Sequence, residues 1–218
     1  MLVEAHRFAP FTLRAVLRSP YIARGHATLD ALLMAVLQRG DVCDLIQCVD
    51  DLYYASGVIP VDSTGIYRAA FVASMRPDRS PEWLEVIKPN SRGGTDVAIG
   101  LSRQREAGAI VNAYTAVVCR AVEWHATGDM AAVLNVVREV RFIGKRRGSG
   151  FGEVEGWEAE PGELDGLVDF LGEPLRPIPF DRWTGGGDHP AMEAAWRAPY
   201  WNPAIRAKCI APPQGAAE

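Results

Sequence analysis

The chain has 218 residues, of which 48% are hydrophobic and 23% charged, the balance of a globular protein long enough to bury a real core. A formal net charge of −4 excludes a protein that grips nucleic acid over its whole surface, and the longest apolar run, Ala31 to Leu37, is too short to cross a membrane. The N-terminal MLVEAHRFAP contains an acid and no apolar signal region, so a cytoplasmic protein without a membrane partner is expected.

Phe11 to Leu17 alternates apolar and polar residues and predicts a half-buried strand, with Arg14 on the face away from Leu13. A loop through Pro20, Arg24, Gly25 and His26 leads to Thr28, an expected N-cap. Leu29, Leu32, Leu33, Val36 and Leu37 then recur at helical spacing and predict an amphipathic helix that Gly40 ends. Asp41 to Pro60 is expected to hold a short helix before Val58 and Ile59. The run IYRAAFVASM after Gly65 predicts a strand, and Trp83 to Ile87 either continues it or pairs with it across the Pro77 to Pro81 break. Lys88 to Gly108 is rich in Gly, Ser and charge, which suits a protruding hairpin or a flexible insertion. Ile110 to His125 returns to β character, and Thr127-Gly128-Asp129 turns the chain into a second helix marked by Met130, Val133, Leu134 and Val137.

Next comes RFIGKRRGSGFGEV, Arg141 to Val154, in which Lys145, Arg146 and Arg147 precede glycines at 148, 150 and 152. Cations beside glycine backbone suit a phosphate chain. The loop follows a helix and leads into a strand, the reverse of a dinucleotide or P-loop site, and its glycine spacing fits neither motif. A nucleotide pocket is therefore set aside, which leaves a polynucleotide backbone or a merely basic surface turn. Charge is polarised around this loop: Arg138 to Arg147 carries five cations against one acid, whereas Glu153 to Leu175 carries eight acids and no cation.

Beyond Gly172 the chain turns proline-rich and aromatic, with Trp183, Trp196, Tyr200 and Trp201 and no clear period. An extended tail lying across the domain or a partner is expected, frayed from Gln214 to Glu218. The four cysteines, Cys43, Cys48, Cys119 and Cys209, show no CxxC pair, and the four histidines, His6, His26, His125 and His189, have no acids at ligand spacing. Reduced, mostly buried thiols, no metal and no cofactor are expected. Stripped of insertions, the element order is βαββαβ, an α+β, ferredoxin-like (RRM-like) pattern whose open sheet serves RNA-recognition domains among others.

That order, with GKRRGSGFGEV between the second helix and the last strand, resembles the RAMP superfamily of CRISPR-associated RNA-binding proteins. HATLDALLMAVL, GIYRAAFVASM, IKPNSRGGTD and the tail segments PLRPIP and RAPYW make the chain similar to the subunit of type IV CRISPR effector complexes that caps the 5′ handle of the guide RNA. The resemblance implies a RAMP domain over 1–172, with a hairpin or thumb insertion at about 88–110 and the glycine-rich loop at 144–152, followed by a tail over 173–218. It also implies a non-catalytic subunit whose partners are a guide RNA, backbone subunits and, through the guide, target DNA. Expected RNA contacts are Arg24, His26, Ser91, Arg92, Gly93, Lys145, Arg146, Arg147, Gly148, Ser149, Gly150 and Phe151. The backbone amides of Gly148 to Gly152 would take phosphate oxygens, and Phe151 would stack on a base. Some relatives are metal-independent endonucleases with a histidine near the start of the first helix, so His26 as general base is the catalytic alternative. A protein–protein scaffold without RNA is the third reading, supported by the aromatic tail.

Overall fold

The computed structural model describes residues 8–22, 27–74, 88–89, 95–96, 110–200 and 202–213. They form a mixed α+β protein whose strands pair mostly antiparallel. In chain order the elements are β1 (Ala9–Leu17), α1 (Leu29–Leu37), β2 (Cys48–Val49), β3 (Leu52–Tyr53), β4 (Ile59–Val61), β5 (Gly65–Ser74), β6 (Lys88–Pro89), β7 (Thr95–Asp96), β8 (Ile110–Val118), β9 (Ala121–Gly128), α2 (Met130–Val137), β10 (Val154–Pro161), β11 (Ile178–Pro179), β12 (Ala191–Ala195) and β13 (Arg206–Ile210).

The central sheet has the order β10-β1-β9-β4. Alternation along β1 buries Phe11, Leu13, Ala15 and Leu17, and this face, with Val122, Trp124 and Ala126 of β9, meets Leu29, Leu33 and Met34 of α1 and Val133 and Val137 of α2. Two tryptophans lie in this layer with their rings stacked at 6.1 Å. Trp124 donates its indole N–H to Ala27 O, and Trp157 donates to Val140 O, so neither buries an unpaired polar group.

The first helix spans the stretch its leucine spacing predicts, Leu29 to Leu37, but is rotated toward a different face. It ends at Gln38, which adopts a left-handed conformation (φ 55°) two residues before Gly40. Its buried positions are Leu29, Asp30, Leu33 and Met34, while Leu37 is exposed. The charge of Asp30 is accepted inward because a buried arginine from the tail answers it, as described below. The expected helix after Asp41 is instead a single turn, with Leu45 and Ile46 N–H donating to Val42 O, followed by the β2–β3 hairpin. Asp50 and Asp51 make its two-residue turn at φ 50° and 66°, the left-handed pair that a tight hairpin requires.

The run IYRAAFVASM is a strand, as predicted, but it is not part of the central sheet. As β5 it pairs with β8 in a two-stranded sheet, and the short β4 takes the sheet position beside β9. The chain divides accordingly into one compact unit of Met1–Gly65 with Val117–Glu218 and a second of Ile66–Ala116. The β stretch Ile110 to His125 is therefore two strands, split at Cys119 and Arg120, where Arg120 N–H donates to Val61 O and Leu17 N–H to Arg120 O. Within the predicted insertion, β6 and β7 pair as a hairpin, Lys88 opposite Asp96 and Pro89 opposite Thr95.

The tail is a further correction, since it is folded rather than extended. β11, β13 and β12 form a three-stranded sheet over a second core of Leu52, Ile178, Ala194, Trp196 and Cys209. Trp196 is buried and carries the guanidinium groups of Arg182 and Arg197 at 4.6 and 5.2 Å from its ring centroid. The strands are short and divided by proline and glycine, which hides their period in the sequence.

Burial pushes the phenols of Tyr21 and Tyr200 above the ordinary tyrosine range and the Cys119 thiol up to about 11. Each group must stay neutral in the fold. Its stabilisation is complete below the ordinary pKa and lost as pH rises toward the raised one. We expect the urea midpoint to hold from pH 7 to 8 and to fall steadily between about pH 9 and 11; a flat profile across that interval would contradict the burial of these groups.

Candidate nucleic-acid interface

Asp129 caps α2 by accepting Ala132 N–H at 2.9 Å, and the chain leaves the helix at Arg138. From there the basic loop closes as a hairpin: Ile143 N–H donates to Gly152 O at 2.9 Å, and Val154 N–H to Arg141 O at 2.8 Å. Its tip is one turn of 3-10 helix, Arg147–Ser149. The base is fixed against the end of β1 and the segment after it, with Lys145 N–H donating to Ile22 O at 2.7 Å, Gly152 N–H to Pro20 O at 2.8 Å and Glu153 N–H to Ser19 Oγ at 2.8 Å. The loop is thus a built projection between α2 and β10.

Two glycines are demanded by this construction. At Gly152 (φ +68°) a Cβ would lie 2.0 Å from Ile143 O, and at Gly144 (φ +75°) it would lie 2.4 Å from Ile22 O and 2.6 Å from the Tyr21 ring. Gly148 at the tip has nothing within 4 Å. Gly152→Ala is therefore expected to cost about 3 kcal/mol, from a left-handed alanine plus a backbone clash, and Gly148→Ala to stay within about 0.5 kcal/mol. Thermal and urea unfolding of the two variants side by side would check this. Equal losses would show that the tip glycine is structural too.

The backbone amides do not form the expected phosphate cradle. Ser149 N–H donates to Arg146 O at 2.8 Å, Gly150 N–H to Arg147 O at 3.0 Å, Phe151 N–H to Arg146 O at 3.4 Å and Gly152 N–H to Pro20 O. A tight 3-10 tip uses its donors internally. The cations of this loop are the side chains of Lys145 and Arg146, half-buried, and Arg147, exposed. Phe151 is half-buried.

Of the remaining predicted contacts, Arg24, His26, Ser91, Arg92 and Gly93 lie outside the described residues. The hydrogen bond from Lys145 to Ile22 brings the loop to the chain position two residues before Arg24. His125 sits in the central sheet with Nδ1 3.1 Å from Thr12 Oγ1, and burial holds its pKa below the ordinary histidine value against the opposing pull of Glu123. His189 lies between Gly186 O at 2.8 Å and Glu173 at 3.3 Å, edge-on to Trp183. Both rings are engaged away from the basic loop.

The sheet face opposite the helices is unlike an RNA platform. Arg14 reaches Glu123, Glu158 at 3.4 Å and Glu160 at 3.9 Å, and Thr12 and His125 complete the row. Three carboxylates surround one guanidinium, so a phosphate backbone would be repelled. The period-2 placement of Glu158 and Glu160 in VEGWEAEP already carried that signal. No family model and no curated protein matches this chain. Among the described residues no group of three or more His, Cys, Asp or Glu side chains is arranged to hold a metal ion, and no helix is long and apolar enough to cross a membrane.

Proposed function

We propose that the chain is a non-catalytic RNA-binding subunit of a type IV CRISPR-like ribonucleoprotein, holding the 5′ end of the guide RNA beside the backbone subunits. Numbered by their place in the chain, the four central strands run 4-1-3-2, all antiparallel, with one helix after the first strand and one after the third. This order supports a ferredoxin-like, RAMP-type domain. The observation that carries the functional reading is the basic loop itself. It is a cationic tip on a base fixed by hydrogen bonds to residues 19–22, while the neighbouring sheet face is acidic. RNA is drawn to the tip and kept from the sheet by the same charge pattern. The guide, and not this chain, would read target DNA.

The test is co-expression of the full chain with the proteins encoded beside it, purification of the assembly, and end-mapping of retained RNA. Short RNAs with a uniform 5′ end in a large complex are expected. RNA ends carrying a 2′,3′-cyclic phosphate that disappear on His26→Ala would replace this reading with the endonuclease. An assembly without RNA would replace it with the scaffold.

A further inference from the structure

The central sheet ends on one side at β10, and the backbone there is only half used. From Phe11 opposite Pro161 to Val16 opposite Gly156 the register of β1 and β10 is unbroken. Gly162 N–H donates to Pro10 O at 3.0 Å, so the pair next to Phe11 and Pro161 is a hydrogen-bonded one. Bonded and non-bonded pairs alternate along an antiparallel ladder. Glu160, Glu158 and Gly156 therefore turn their N–H and C=O groups toward β1, and Trp157 and Ala159 turn theirs outward. On the other side of β1, Leu17 N–H donates to Arg120 O, which gives the odd-numbered residues of β1 to β9 and leaves the even-numbered ones for β10. The segment before β10 closes only its start, where Val154 N–H donates to Arg141 O and Phe142 bridges Glu153. Among the described residues no strand lies beyond Trp157 and Ala159.

The two faces that an added strand would extend differ in character. Glu158 and Glu160 stand on the face of Arg14, with side chains 61% and 66% exposed, and they share that one guanidinium with Glu123. This face keeps an excess of negative charge right up to the edge. On the other face Trp157 and Ala159 pack, half-buried, against the core beneath the helices. A strand laid along the edge would set alternate side chains beside Glu158 and Glu160, and the intervening ones beside Trp157 and Ala159. A second copy of β10 is the wrong occupant, because it would bring glutamate against glutamate.

We propose that the β10 edge binds, as an added strand, an extended segment of a partner protein in which lysine or arginine alternates with apolar residues. The outward donors and acceptors of Trp157 and Ala159 supply main-chain hydrogen bonds, and the carboxylates of Glu158 and Glu160 select the basic residues. Pro161, with no N–H to offer, ends the docking stretch.

The experiment titrates the full-length, nitrogen-15-labelled protein with a capped peptide of alternating lysine and valine, and follows amide shifts and hydrogen exchange by NMR. At a peptide concentration about ten times its dissociation constant, the outward amides exchange only in the remaining free protein, so exchange at Trp157 and Ala159 is expected to slow about tenfold. The same peptide N-methylated at every residue keeps its charge but loses its donors, and is expected not to bind. A glutamate–valine peptide is expected not to bind either. Ala159→Pro removes an outward donor and leaves the β1 ladder intact, so it should abolish binding. Glu158→Gln with Glu160→Gln keeps both side-chain shapes and should weaken binding by about threefold or more. The proposal is overturned if the lysine–valine peptide does not bind, or if it binds while the Trp157 and Ala159 amides exchange as in the free protein. It is overturned equally if the N-methylated or the glutamate peptide binds as well as the parent, or if both variants bind like the wild type. Protection of those two amides that grows with protein concentration alone would place a second copy at the edge, and that too would overturn it.

Discussion

Arg176→Ala lowers the unfolding free energy by about 3–5 kcal/mol, the range seen when one partner of a buried ion pair is removed. Arg176 is completely buried and ties four parts of the molecule together. One guanidinium nitrogen donates to Asp30 at 3.2 Å, Tyr53 O at 2.8 Å and Ala55 O at 3.0 Å; the other donates to Trp196 O at 2.8 Å and the Tyr200 hydroxyl at 2.9 Å. The Tyr200 hydroxyl in turn donates to Asp30. Desolvation alone would lower the arginine pKa, but the charge of Asp30 and the hydrogen bonds with Asp30 and Tyr200 outweigh it, so the net shift is upward and the cation is retained.

Deleting the side chain leaves the buried Asp30 carboxylate without its countercharge and Ala55 O and Trp196 O without their donor, and of the ties between the tail and α1 named here it leaves only the Tyr200–Asp30 hydrogen bond. Asp30→Asn should cost less, because the amide oxygen still accepts a hydrogen bond. An apolar pair, Asp30→Leu with Arg176→Met, should recover only part of the loss, since the carbonyls of Ala55 and Trp196 lose the arginine donor and Tyr53 O keeps only Ala55 N–H. Urea unfolding of the four proteins measures these differences. A loss below about 1 kcal/mol for Arg176→Ala would mean the network is solvated and the tail docks by other contacts.

If the proposed RNA-binding role holds, neutralising the loop with Lys145→Gln, Arg146→Gln and Arg147→Gln is expected to weaken binding of short single-stranded RNA by at least about tenfold at 0.1 M salt, whatever its sequence. Each lost phosphate contact removes about 0.7 from the slope of log K against log salt, so three lower it by about 2. Glutamine is the apt replacement because Arg146 sits at φ 59°, and a side chain with the same Cβ and similar length leaves the backbone conformation unchanged. The loop's shape is set by main-chain hydrogen bonds to Pro20 and Ile22, so the melting temperature should move little. Arg14→Gln serves as the opposite control. It deletes a cation that three carboxylates already neutralise, so RNA affinity should stay constant while stability falls. An unchanged salt slope for the triple variant would remove the loop from the interface.

Local periodicity was enough for the parts of the fold that repeat regularly over many residues. The alternation from Phe11 to Leu17 predicted β1 and the outward Arg14, and the spacing of Met130, Val133 and Val137 predicted α2 behind its Asp129 cap. The basic loop was legible as composition, because lysine, arginines and glycines stand together in sequence.

Long-range pairing decided the rest. IYRAAFVASM has as much strand character as β4, and only the breaks at Asp62 and Cys119 assign it to the β5–β8 pair instead of the central sheet. Gly148 and Gly152 look alike in the sequence. The approach of Ile143 O to one and open space around the other separate a required glycine from a tolerant one. Asp30 lies in the chain 146 positions from the arginine that answers its buried charge, and the turn before β2 is held by hydrogen bonds to Thr127 and Asp129, about 80 positions further along. Side-chain pattern reports which face of an element is apolar. Which partner meets that face, and which polar groups are then satisfied, depends on contacts distant in the chain, and these exist only once the tertiary structure has formed.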